Sequence, residues 1–195
     1  IDDAPQVLTH LAVNLTPEEL EDKIQAGQKK QQFVAAATDL LEKLDNSWNP
    51  AIAYRWMVAS MSKSDPSCCN LQQNGICTSL ALGHSSSFMK EAQCALIACY
   101  TAGDAIENES IVASKEKRFL DSYLLDIINL LVLEKTGNII NQMAEDKAKE
   151  RSWGVSPFLS PGSVHGWELE EQHKLAALLP LSKIGVSIRT DGVLH

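Results

Sequence analysis

The apolar positions of residues 16–44 recur with the spacing of amphipathic helices. Thr16 can cap the first helix, Pro17 suits its first turn, and Glu19 stands where a capping-box carboxylate reaches back to the cap. Gly27 interrupts the pattern before it resumes. The sequence therefore predicts a short helix that begins after Thr16 and a longer helix that ends before residue 50.

A two-residue alternation then indicates strands. It covers residues 51–59, and we also predict strands at residues 76–82 and 94–100, where short apolar runs end in turn residues. The polar stretch 62–75 is predicted to be a loop, and Ser85 to cap a short helix that ends at Ala92. In the first strand we expect the aromatic face to be buried, namely Ile52, Tyr54, Trp56 and Val58.

The longest helical periodicity runs from Arg118 to about Lys149 and predicts one long helix. Beyond it we predict a strand at 152–159, a helix at 168–179 and a strand at 184–189. Asp191-Gly192 is a strong hairpin signal. The returning strand has three residues and stops at His195, so we expect the natural polypeptide to continue.

The composition and net charge of the chain exclude some classes of protein. A length of 195 residues and a hydrophobic fraction of 45% are typical of one soluble domain. The net charge of -8 and the lack of a basic stripe argue against a nucleic-acid binder. Charged residues interrupt the apolar run at 120–133, so we expect no membrane span. Five cysteines, an odd number, indicate reduced thiols and predict a cytoplasmic location.

The loop at residues 158–167 combines turn residues, a histidine and an aromatic side chain. Pro161 restricts the backbone, whereas Gly162 and Gly166 permit conformations and close approaches that other residues cannot adopt. Such a loop can deliver backbone groups to a ligand, or it can be a plain connector between two elements. His165 is a candidate ligand of cobalt or another metal, or a donor to a cofactor, with a solvated loop histidine as the alternative.

Five short sequence motifs follow one another in a fixed order along the chain. They are residues 50–55, 101–107, 125–134, 160–162 together with 167–172, and 184–188. In this order and spacing they resemble the activation (reactivation) domain of cobalamin-dependent methionine synthase. The resemblance covers most of the chain and is strongest in its C-terminal half.

The resemblance implies a single α+β domain over residues 1–195, in which a twisted antiparallel sheet is flanked by helices, one of them long and central. Domains of this family hold S-adenosylmethionine beside a cobalamin domain, so that cobalamin oxidised out of the cycle is reduced and remethylated. The implied partners are a cobalamin-binding methyltransferase protein or domain and a flavodoxin-like reductant. The domain would position a methyl donor and perform no acid–base chemistry itself, so no catalytic residue is assigned.

The resemblance also implies where the cofactor would bind. The implied contacts are Glu134, Phe158, Ser160, Pro161, Gly162, Ser163 and His165. The family has an arginine at the position of Phe158 and a tyrosine at that of Ser163, and one extra residue brings His165 into the loop. The arginine meets the ligand's carboxylate, which a phenylalanine cannot do. We therefore expect weakened S-adenosylmethionine binding.

Two other hypotheses remain open. In the first, the chain is a partner-docking or corrinoid-binding module that has lost S-adenosylmethionine binding. In the second, it is a metal-dependent redox protein whose ligands are Cys68, Cys69 and Cys77, although their spacing matches no standard metal site. Cys94 and Cys99 are predicted to lie in the core. Asp126 and Glu134 share one face of the long helix, as an acid–base pair or as part of a solvated face.

Overall fold

The computed structural model of the protein describes residues 4–45, 47–163 and 166–195. Its α-helices are α1 (Pro17–Lys23), α2 (Lys30–Leu44), α3 (Ala105–Lys115), α4 (Phe119–Lys149) and α5 (Gln172–Ala176). Its strands are β1 (Gln6–Leu8), β2 (Ala51–Met61), β3 (Cys68–Gln73), β4 (Ile76–Ala81) and β5 (Cys94–Thr101). Short 3-10 helices lie at Gly27–Lys29, Gly83–Met89, Leu169–Glu171 and Leu181–Ile184. The predicted α+β class with one long helix is confirmed.

The strands form one sheet in which β2 pairs with β1, β3 and β5, and β4 pairs with β3. The β2–β3 and β3–β4 pairs are antiparallel. Strand β3 lies in the segment that we predicted to be a loop, so that prediction is wrong. Asn74 and Gly75 have φ angles of 47° and 80°, and an Asn-Gly pair of this kind connects two hairpin strands.

The burial of β2 matches the prediction only in part: Ile52 is fully buried as expected, but Tyr54 and Trp56 are only half-buried. Ala53, Met57 and Ala59 are buried, whereas Val58 on the opposite face is 47% exposed. Met57 and Ala59 pack in one hydrophobic core with Leu71 of β3. The alternation in the sequence located the strand but could not show which of its faces meets the core, because both faces carry apolar residues.

The chain divides into two compact units. One, here called the helical unit, comprises residues 8–52 and 100–139. The other, here called the sheet unit, comprises the residues up to Val7 together with 53–99 and 140–195. Helix α4 contributes residues up to Ile139 to the helical unit and its remaining turns to the sheet unit. That the whole chain acts as a single domain stays a prediction.

In the helical unit, α4 presents a fully buried stripe of Leu124, Ile128 and Val132, spaced four residues apart as one face of a helix requires. Helix α1 is joined to α4 by two ion pairs. Glu19 pairs with Lys135 at 2.7 Å, and Lys23 pairs with Glu134 at 2.6 Å. The Glu19 carboxylate also accepts a hydrogen bond from the Thr16 backbone N–H at 2.9 Å, as the predicted helix start requires.

In the sheet unit, the core contains Met57, Leu71, Leu80, Leu82, Trp167 and Leu178. Strand β4 ends beside Glu171, whose Oε2 accepts a hydrogen bond from the Ala81 N–H at 2.9 Å. Lys174 Nζ donates to the Ser79 carbonyl at 3.1 Å and pairs with Glu171 at 2.7 Å. These side chains occupy backbone groups along β4, which limits pairing by another strand.

The elements after α4 are shorter than predicted. Residues 152–159 form no strand, since Pro157 lacks an N–H and Gly154 weakens extended pairing. The helix predicted at 168–179 is reduced to a 3-10 turn and α5. The hairpin at Asp191-Gly192 is confirmed, but its predicted strand is reduced to the bridge between Ile188 and Leu194. The helix predicted at 85–92 is a 3-10 helix instead.

Candidate functional site

A cavity of about 960 Å³ lies within the sheet unit. Its walls come from β5, from the last turns of α4 and from the segment that follows α4. The aromatic side chains in its lining are Trp56, Phe88, Trp153, Phe158 and Trp167. Three of the four tryptophans of the chain therefore line one cavity. Its volume and its mainly apolar and aromatic lining are typical of small-molecule sites.

One wall of this sheet-unit cavity is a segment without regular secondary structure, residues 153–159, which we call the strap. Its start is tied down by a hydrogen bond from the Trp153 N–H to the Ala148 carbonyl at 2.9 Å. Among the described residues, no backbone–backbone hydrogen bond involves residues 154–159. Phe158 is 52% exposed although it is a large apolar residue. The strap thus has backbone groups without backbone partners beside the cavity, and the Phe158 ring lies in the cavity lining.

Two cations lie in the lining at the end of α4. The Arg151 guanidinium stands 5.0 Å from the centroid of the Trp153 ring, within the range of a cation–π contact. Lys147 also lines the cavity and pairs with Glu150 at 3.0 Å. Burial raises the pKa of the Cys94 thiol, and the positive charges of Arg151 and Lys147 oppose that rise. The positive charges of Arg151 and Lys147 therefore act on the cavity wall formed by β5.

After the strap, the chain makes a tight turn held by its own hydrogen bonds. The Gly162 N–H donates to the Trp167 carbonyl at 2.8 Å. The Ser160 and Ser163 hydroxyls are 2.6 Å apart, and Ser163 Oγ also donates to the Ser160 carbonyl at 2.9 Å. Pro161 is buried, and Gly162 has a φ of 77°, which favours glycine. The turn is a constrained structure whose end meets the cavity at Trp167.

The turn also packs against the backbone that follows β4. Gly83 has a φ of 54°, and a Cβ atom there would lie 2.2 Å from the Gly166 carbonyl oxygen. The two glycines therefore permit a backbone-to-backbone approach that a side chain at position 83 would prevent.

Trp167 connects this turn to the cavity. The residue is 6% exposed and lies in the cavity lining. Within the described part of the chain, its indole Nε1–H has no hydrogen-bond partner. A buried donor without a partner costs about 1–3 kcal/mol. The indole is thus a polar group that a water or a ligand acceptor would stabilise.

The structure brings together only some of the predicted binding residues. Phe158 lines the cavity, and Ser160, Pro161, Gly162 and Ser163 form the turn at the end of the strap. Glu134 lies in the helical unit, where it pairs with Lys23. His165 lies outside the described residues. Asp126, considered with Glu134 as an acid–base pair or as part of a solvated face, accepts a hydrogen bond from Ser110 Oγ at 2.8 Å.

The cysteines are all free thiols. Burial raises the pKa of both Cys68 and Cys69, which disfavours the thiolate that binds metals. Cys68 Sγ donates to Asp65 Oδ2 at 3.3 Å. In the described ranges, no group of three or more His, Cys, Asp or Glu residues is placed to hold a metal ion. No helix in those ranges has the length and apolar character to cross a bilayer.

Several residues of the cavity were missed by the sequence reasoning. Arg151 and Lys147 were assigned to no site, and Trp56 was predicted to lie on a buried strand face. A usable signal was present, because Trp153 and Phe158 follow a basic helix end in a segment with glycine and proline. Exposed aromatic residues in an irregular segment indicate a binding surface more often than a core strand.

No protein-family model and no curated protein sequence matches the chain. Among solved structures, the chain is similar to a crystal structure of the MetH reactivation domain bound to AdoHcy. The TM-score is 0.68 at 12% sequence identity, and the match covers 98% of this chain and 75% of that one. At this identity the likeness shows a shared fold. The fold implied by the sequence resemblance is therefore confirmed.

Proposed function

We propose that this chain is an accessory domain of corrinoid-dependent methyl transfer. In this proposal it binds S-adenosylmethionine and presents it to a cobalamin-binding methyltransferase protein or domain, which is thereby reactivated by remethylation. The observation that carries the proposal is the shared fold over 98% of the chain with a domain that has AdoHcy bound. AdoHcy is what S-adenosylmethionine becomes when it gives up its methyl group, so the two ligands share most of their contacts.

The residues of the sheet-unit cavity fit such a ligand. Flat aromatic faces at Trp56 and Phe158 suit stacking of an adenine ring. The strap offers backbone groups that lack backbone partners among the described residues, and Trp167 offers an unpaired indole N–H. The bound cofactor would supply the methyl group that is transferred to cobalamin. The residues of the chain bind it, orient it and exclude water from one side of it.

The remaining parts of the proposal concern partners. The cobalamin is carried by the methyltransferase partner, and a flavodoxin-like protein supplies the electron that reactivation needs. Glu134 and His165 remain proposed contacts of the cofactor or partner.

Calorimetric titration of the purified chain with S-adenosylmethionine tests the proposal. We expect saturable heat at micromolar to submillimolar ligand, and a similar response to AdoHcy. ATP serves as the control, because it shares the adenosine but carries a triphosphate in place of the amino-acid end. Absence of heat at millimolar S-adenosylmethionine, with a folded protein, would contradict it.

A second candidate is the docking or corrinoid-binding module that has lost S-adenosylmethionine binding. The observation that favours it is Phe158, an apolar residue 52% exposed where the resembling family has an arginine. In that case the titration gives no heat, while added hydroxocobalamin, or a cobalamin-loaded partner domain, still binds.

A further inference from the structure

We propose that Arg151, supported by Lys147, forms an anion-binding subsite in the sheet-unit cavity that receives the carboxylate of the amino-acid end of the ligand. This inference rests on the proposed function and assigns the ligand's charged end to named residues. Position 158, where the resembling family has an arginine, carries a phenylalanine in the same cavity. Arg151 supplies a guanidinium to that cavity from the other end of the strap.

The first argument is the unused charge of Arg151. Arg118 is paired with three carboxylates, and Arg189 is paired with Asp191 at 2.9 Å. Arg151, by contrast, has no ion pair or hydrogen bond from its guanidinium to any residue within the described ranges, and it stacks on the Trp153 ring. Stacking on an indole leaves the N–H groups at the edge of the guanidinium free, which suits bidentate binding of a carboxylate.

The second argument is the combination of groups in one cavity. Two cations, several aromatic rings and the carboxylate of Glu91 share the lining. A nucleoside that bears an amino acid has a flat ring for the aromatic faces and a carboxylate for the cations. Its ammonium is complementary to a carboxylate such as that of Glu91. A purely apolar ligand would leave Arg151 without a counter-charge, whereas Lys147 is already paired with Glu150.

Lys149 is a cation at the same helix C-terminus that does not belong to the proposed subsite. Cations at a helix C-terminus are favoured by the macrodipole, so their presence alone proves no site. Lys149 pairs with Asp146 at 3.4 Å, its side chain is 69% exposed, and it is not part of the cavity lining. It therefore provides a matched control in the same helix end as the proposed subsite.

The test compares two ligands and two variants. S-adenosylmethionine carries the amino-acid end, whereas methylthioadenosine keeps the nucleoside and the thioether but lacks it. We expect Arg151→Gln to raise the dissociation constant for S-adenosylmethionine about 10- to 100-fold, the range for a lost charge-assisted contact. The same variant should change methylthioadenosine binding by less than about 2-fold, because the ring contacts remain.

The controls separate this subsite from the proposed function. Lys149→Gln should leave the binding of both ligands unchanged, and Arg151→Lys should recover part of the affinity because it keeps the charge. If wild-type protein binds S-adenosylmethionine and Arg151→Gln binds it equally well, the subsite is wrong while the proposed function stands. Equal weakening of both ligands by Arg151→Gln also overturns the subsite. Failure of the wild-type protein to bind S-adenosylmethionine overturns both.

Discussion

Gly83 shows how one residue can determine the position of a loop. Its φ of 54° is accessible to other residues at a cost, but the Gly166 carbonyl lies where a Cβ atom would be. The contact joins the end of β4 to the turn that precedes Trp167. A loop placed by such a contact cannot be adjusted by moving a flexible side chain, since both partners are backbone.

We therefore expect Gly83→Ala to lower the free energy of unfolding by about 3 kcal/mol or more. Gly27 is a matched control, because its φ is 52° and nothing lies within 4 Å of its Cβ position. Gly27→Ala should cost only the left-handed backbone strain, about 1 kcal/mol. Urea denaturation of both variants measures the difference. Equal losses would show that the approach of Gly83 to Gly166 contributes nothing.

At the scale of elements, α1 is attached to α4 through ionised side chains. A hydrogen bond from Lys135 is the largest cause that holds the pKa of Glu19 below its ordinary value of 4.5. Because the folded pKa is the lower one, Glu19 contributes stability above its unfolded pKa and loses it as the pH falls through the folded value. The two side chains are 30% and 36% exposed, so solvent screening keeps the contribution small.

We expect the free energy of unfolding of the wild-type protein to fall as the pH drops below about 4.5. The free energy of unfolding of Glu19→Gln should fall by about 0.5 kcal/mol less over the same pH range. Denaturant titrations at several pH values measure this. Glu42→Gln on α2 is the control, since Glu42 has no ion pair within the described ranges. An identical pH slope in Glu19→Gln and wild-type protein would contradict the assignment.

The elements that could be predicted from sequence are those with a strong local signal. The long helix α4 follows a regular apolar stripe, and the start of α1 has Thr16 and Pro17. Strand β3 was missed because its polar composition outweighed the Asn-Gly hairpin signal beside it. The prediction of a strand at 152–159 is wrong, because residues form a strand only when the backbone of a neighbouring strand pairs with their N–H and C=O groups. The site was predicted only in part, because Phe158 was found from motif order and Arg151 was not.

At the scale of the whole molecule, the distribution of tryptophans gives a direct probe of ligand binding. Trp56, Trp153 and Trp167 line the cavity, whereas Trp48 is buried in the helical unit with its Nε1–H donated to the Val13 carbonyl at 2.8 Å. We expect S-adenosylmethionine to change the intrinsic fluorescence saturably. Trp48→Phe should retain the full change, and Trp56→Phe should lose part of it. A signal that disappears in Trp48→Phe would place the ligand elsewhere.

By itself, the sequence determined the α+β class, the long helix, the first helix start and strands β2, β4 and β5, because each depends on residues close together in the chain. Tertiary structure alone decided which face of β2 is buried, where β3 pairs, and that Arg151, Trp56 and Phe158 share one cavity. Those features depend on groups that are tens of residues apart. Their positions are set by packing and hydrogen-bond partners, which no local pattern encodes.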